Sequence, residues 1–152
     1  MTLSKLIASL ETFDDDHATG AVEALIAAGG PAVEPLCGLL TVQEMLRRGN
    51  FSNSERLHHI LKALTGLADP RAWQPALELF VALDEHARTH PDWVEVEGGN
   101  PNYNGSLLAL YSFARRIDPA RSQPLPALDR FEEFVAARAR VRDEVVAALA
   151  RA

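Results

Sequence analysis

A single cysteine, Cys37, is all the thiol this chain of 152 residues carries, so no intramolecular disulfide can form. That usage fits a reducing compartment, and its apolar setting between Leu36 and Leu39 marks a small core residue rather than a nucleophile. Long apolar runs are missing as well, since no stretch approaches the roughly 20 uninterrupted apolar residues that a membrane helix needs. The opening Met-Thr-Leu-Ser-Lys has neither the apolar run nor the cleavage site of a secretory signal, and a cytoplasmic location is the expectation. Basic residues are outnumbered, 15 against 21 acidic, for a formal net charge of -6. Phosphate binding draws on clustered Lys and Arg, so this balance argues against a general nucleic-acid binder. Neither a Gly-x-Ser-x-Gly elbow nor a glycine-rich phosphate loop occurs. Strand-like alternation is nearly absent.

What remains is helical periodicity from end to end. Apolar residues make up 47% and charged residues 24%, ordinary globular usage that excludes disorder. The length suits one compact domain or one short repeat array. Stripes at three- and four-residue spacing run through Leu3, Leu6, Ile7 and Leu10, then Val22, Leu25 and Ile26 after three aspartates that suit a helix start. A third helix is expected from Pro31 through Val33, Leu36 and Leu40 to Arg47, stopped by Gly49 and Asn50. The clearest stripe is Leu57, Ile60, Leu61, Leu64 and Leu67, capped by Ser52 or Ser54 and ended before Pro70. A fifth helix carries Trp73, Leu77, Phe80 and Leu83, and one long loop, rich in Gly and Pro, spans residues 89 to 105. Helix resumes through Leu107, Leu110, Tyr111 and Ile117, again after Pro126, and finally through Val141, Val145 and Leu149. Charge is uneven along the chain: residues 1 to 114 hold 7 basic and 15 acidic side chains, and residues 115 to 152 hold 8 and 6.

An internal repeat organises these helices. Ala28-Gly29-Gly30-Pro31-Ala32-Val33-Glu34-Pro35-Leu36 aligns without a gap with Ala68-Asp69-Pro70-Arg71-Ala72-Trp73-Gln74-Pro75-Ala76, and a third copy starts at Asp118-Pro119 with Gln123-Pro124 in phase. Helical pairs at a period near forty residues are how stacked hairpins cover one another's apolar faces. The stretch Leu67-Ala68-Asp69-Pro70-Arg71-Ala72 with Pro75-Ala76-Leu77 resembles HEAT repeats, especially the short bilin-lyase-type class, and Gly30 to Leu36 is similar to it. The resemblance implies an all-α fold, a right-handed α-solenoid of about three helical hairpins with terminal capping helices. The divisions are an N-terminal cap over 1–16, repeats over 17–50, 51–90 and 106–138, an inserted loop over 91–105, and a C-terminal cap over 139–152.

HEAT arrays bind partners on the concave face lined by second helices, so the resemblance places Glu34, Gln74 and Gln123 in equivalent positions, with Glu78 and Glu85 extending the row. The loop adds Trp93 and Tyr103 among Glu95 and Glu97, aromatic contact area beside carboxylates that favour a basic partner. A solvated helix face explains the acidic row equally, and Trp93 folded over a hairpin end explains the loop. Trp73 aligns with Val33 and is expected in the core, and Arg138, Arg140, Arg142 and Arg151 are expected on a solvated surface. His86 and His90, four apart beside Asp84 and Glu85, are the nearest approach to a metal site, but the Pro91 that follows His90 disturbs shared geometry. The expectation is a noncatalytic protein-interaction module, an adaptor, inhibitor or complex subunit, with no cofactor or metal and an unidentified protein partner of basic surface. An uncapped solenoid end leaves homo-oligomers open. The alternatives are a lyase-type or chaperone-like subunit handling a prosthetic group, which requires a deep apolar pocket, and a metal-dependent enzyme.

Overall fold

The computed structural model describes residues 2–47, 51–90 and 103–152. Thr2 caps α1 (Leu3–Ala8), and Asp14 caps α2 (Asp15–Ala28) by accepting from the backbone N–H groups of Asp16 and His17. The next two aspartates fill the first turn of α2, where carboxylates offset the helix dipole. α3 (Val33–Cys37) is short. It stops at Gly38, and Thr41 starts α4 (Val42–Met45) by accepting from the Glu44 N–H at 3.2 Å. The single helix expected to reach Arg47 is therefore two, because Gly38 costs helix stability and the Thr41 hydroxyl offers a competing start. α5 (Asn53–Leu67) is capped by Ser52, whose hydroxyl accepts from the Glu55 N–H. α6 (Trp73–Thr89), α7 (Tyr103–Ile117) and the 21-residue α8 (Phe131–Arg151) complete the order. No strand occurs among the described residues, and no helix there is long and apolar enough to cross a membrane.

The first two repeat units share their local geometry. Gly30–Ala32 and Pro70–Ala72 are both one-turn 3-10 segments with proline in the first turn, each leading directly into an α-helix. Val33 and Trp73, forty residues apart, have nearly the same backbone angles, φ -63 and ψ -54 against φ -60 and ψ -54. The chain turns into each 3-10 segment through a positive φ, at Gly29 in the first unit and at Ala68 in the second. The third unit differs. After Asp118-Pro119 the chain forms turns, and α8 begins only at Phe131, seven positions beyond Pro124. Pro126 follows Leu125 too closely for a helix to pass, since a proline removes the donor and crowds the preceding turn. From Phe131 onward α8 runs unbroken across positions 138 and 139, where a repeat and a separate cap were expected to divide.

Packing follows the apolar stripes. α1 lies on α2, α2 on α5, and α5 on α7, while α6 lies against both α7 and α8. α7, joined to α6 through residues 91–102, is the helix α6 packs against most extensively. One continuous core results, with Trp73, Tyr111, Phe80 and Phe134 as its largest fully buried side chains. Phe80, Tyr111 and Phe134 meet with ring centroids 5.9–6.2 Å apart, joining α6, α7 and α8. Trp73 is buried as expected, with the Arg121 guanidinium 4.2 Å from its ring centroid. Gly66 allows α2 to come close to α5, since a Cβ there would lie 2.3 Å from Ile26 Cδ1 and 2.7 Å from its Cγ1. Phe134 is buried, whereas Phe131 is 44% exposed at the start of α8.

Two charge networks are buried at the joints. Arg56 of α5, 3% exposed, reaches Glu44 at 3.0 Å and Glu11 at 3.3 Å, and Arg47 binds the same two carboxylates. Burial alone would raise the Glu44 carboxyl, but hydrogen bonds from Arg47 and Arg56 outweigh it and hold that pKa below the ordinary value. Asp84 of α6, 3% exposed, accepts from Arg138 Nε of α8 at 2.7 Å, with Arg88 and Arg142 on its other oxygen at 3.4 and 3.9 Å. Arg138 also donates to Asn104 Oδ1 of α7 at 3.1 Å. Arg138 and Arg142 are thus interhelical clamps and not the solvated surface residues expected, because an acid buried on α6 draws them inward.

Candidate functional site

The expected acidic row is built chiefly by α6. Gln74, Glu78 and Glu85 lie at four- and seven-residue spacing, so one stripe of α6 carries all three, and all three are exposed. The opposite stripe of the same helix, Trp73, Ala76, Leu77, Phe80, Leu83 and Asp84, is buried, which fixes the row facing outward. Gln74 Nε2 donates to Glu78 Oε1 at 3.0 Å, and Arg88 pairs with Glu85. Glu34 of α3 is 85% exposed and meets the second unit at Arg71, 3.8 Å away, which is itself held by Asp69 at 2.7 Å. Asp69 is held below the ordinary carboxyl range by its hydrogen bonds with Arg71. The Gln123 side chain is exposed, but it sits in the turns between α7 and α8 and not on a second helix equivalent to α6. The row therefore spans two units instead of three.

Of the loop residues singled out, Trp93, Glu95 and Glu97 lie outside the described residues. Tyr103 opens α7 and is 4% exposed, with its ring centroid 6.1 Å from that of His86. Burial raises its phenol above the ordinary value. Tyr103 was expected to offer interface contact area, yet its ring is used to pack the end of α6 against the start of α7, where an aromatic surface gains most from burial. His86 and His90 stack face to face, ring centroids 4.2 Å apart and planes 15° apart, and His90 Nδ1 lies 3.2 Å from the His86 carbonyl. Among the described residues no three His, Cys, Asp or Glu side chains converge as a metal site requires. Cys37 is half-buried against the core, and its thiol is raised above the ordinary value, first by burial and then by Asp69.

Surface grooves lie elsewhere. One of about 310 Å³ runs between α5 and α7, lined by His58, Lys62, Thr65, Ser112, Phe113 and Arg116. A second of about 370 Å³ adjoins it and shares Ser112 and Arg116, with Leu108, Tyr111, Arg115, Leu128 and Asp129 completing its walls. A third of about 420 Å³ between α1 and α2 is lined mainly by Leu6, Ala21 and Ala24, with Asp16 and His17 at its rim. All three open to solvent. The sequence alone does not bring together the residues of the first two, because His58, Lys62, Ser112 and Arg116 come from helices some fifty residues apart and carry no shared motif. Their common signal was only that each falls on the polar flank of an apolar stripe.

Compared with known proteins, the chain matches no family model, no curated protein and no solved structure.

Proposed function

We propose that this chain is a noncatalytic protein-binding module, a short right-handed HEAT-like stack that presents the outer stripe of α6 to a basic surface of another protein. The observation that carries this reading is the exposed row of Gln74, Glu78 and Glu85 on α6, to which the neighbouring unit adds the exposed Glu34, paired with Arg71. A row with spacing set by helix geometry on a buried-backed helix is preorganised, so little ordering cost falls on binding. Two features support the stacked architecture. The 3-10 entries at Gly30–Ala32 and Pro70–Ala72 repeat the same turn, and α2, α5 and α7 follow one another in contact while α6 passes on to α8.

The test is comparative capture from the native host's extract with immobilised wild-type chain and a Glu34→Lys, Glu78→Lys, Glu85→Lys variant. Proteins retained by the wild type and lost by the variant support the reading, provided the variant keeps wild-type helicity. An identical set of bound proteins on both would remove the α6 row from the function.

A further inference from the structure

We infer that the paired grooves along α7 form a second binding site, one that takes an extended acidic peptide segment with apolar side chains between its carboxylates. The chain as a whole is acidic, with formal net charge -6, yet Lys62, Arg115 and Arg116 gather on one trough without an ion pair to any described residue. Elsewhere on this molecule guanidinium groups find carboxylates readily, as Arg47, Arg56, Arg71, Arg88, Arg138 and Arg142 all do. Among the described residues Asp129, in the second groove, is the only acid lining either one. Uncompensated cations on an otherwise acidic surface focus attraction for an anion at that place.

The shape selects among anions. Ser112 and Arg116 line both grooves, so the two adjoin across α7 and a bound segment can reach from one to the other. The trough's accessible apolar lining, its floor, is the half-buried Leu108, Ala109 and Leu128, with the buried Leu61 and Phe113 behind them, while hydroxyls of Thr65 and Ser112 and the cations stand around it. A small inorganic anion would use the cations and leave the floor wet. A single-stranded nucleic acid would need exposed aromatic rings on which bases stack, and Tyr111 and Phe113 are both buried. A peptide of alternating acidic and aliphatic side chains uses both parts: every second side chain enters the floor and its neighbours meet the rim. Because the trough is built by α5, α7 and the segment before α8, it is separate from the α6 row, and either can fail without the other.

The experiment is fluorescence anisotropy of the whole chain with a labelled peptide of alternating glutamate and leucine. Saturable, salt-sensitive binding is expected, weakened about tenfold by the paired Lys62→Glu and Arg116→Glu substitutions, as expected for two rim charges each contributing modestly. The conservative pair Lys62→Arg and Arg116→Lys should retain binding, and Glu78→Lys on α6 should not reduce it. Unchanged affinity in the charge-reversed variant would overturn the proposal. So would equal binding of a glutamate–alanine peptide, displacement by equimolar inorganic phosphate, or tighter binding of oligothymidylate at the same residues.

Discussion

Asp84→Ala tests the joint between α6 and α8. The wild-type carboxylate is 3% exposed and faces three guanidinium groups, with Arg138 at 2.7 Å the closest. Deleting one partner of a buried pair costs about 3–5 kcal/mol, because the other charge is left without compensation. Here the stranded groups keep a route to water, since Arg138 is 24% and Arg142 22% exposed. The expected loss is therefore smaller, about 2–3 kcal/mol, or roughly 4–12 °C in Tm for a domain of this size. Urea unfolding followed by far-UV circular dichroism measures it. Arg138→Met alone should also destabilise, but combining it with Asp84→Leu should recover much of the loss, giving a coupling energy on the order of 1–2 kcal/mol. A loss below about 0.5 kcal/mol for Asp84→Ala, or strict additivity in the double variant, would refute the clamp.

Three further substitutions probe other joints. Ala68 holds φ at +52, a left-handed conformation costing an L-residue about 1–2 kcal/mol, so Ala68→Gly should raise stability by roughly 0.5–1 kcal/mol in the same urea assay. Gly66→Ala improves helix propensity by about 1 kcal/mol but drives a methyl into Ile26, and overpacking of about 1–3 kcal/mol should win; shortening Ile26 to alanine in the same chain should reverse the sign of the Gly66 effect. His59 has its pKa lowered from 6.5, first by burial, so between its folded value and 6.5 the unfolded chain binds more protons. Stability should be complete above pH 6.5 and fall as pH drops through the lowered folded value; His59→Gln should flatten that slope, and an unaltered slope would exclude His59 as its source.

Helix stripes were legible because each needs only apolar residues three and four apart. Leu57, Ile60, Leu61 and Leu64 are all buried, and Trp73 occupies the core position that its alignment with Val33 requires. The repeat was legible in the 3-10 entries before Val33 and Trp73, and the late start of the helix after Pro124 was legible in Pro126. Pairings between distant helices were not legible. Nothing in the spacing of Asp84 and Arg138 marks them as partners, and a run of arginines near the end of a chain reads as a solvated face until a buried acid is placed beside it. The acidic stripe on α6 followed from the HEAT-like resemblance and the repeat alignment, whereas the trough on α7 needs two helices brought side by side. Tyr103 shows the limit from the other direction: an aromatic beside a glycine-rich stretch resembles an interface residue, yet it packs against His86.

The proposed platform offers two differently charged surfaces, the α6 row and the α7 trough. Amide chemical-shift mapping of isotope-labelled chain, titrated separately with a lysine–leucine peptide and a glutamate–leucine peptide, addresses both in one measurement. The basic peptide should perturb residues around Gln74, Glu78 and Glu85, and the acidic peptide residues around Lys62, Ser112 and Arg116. Perturbation of one common set by both peptides, or of neither surface by either, would contradict it.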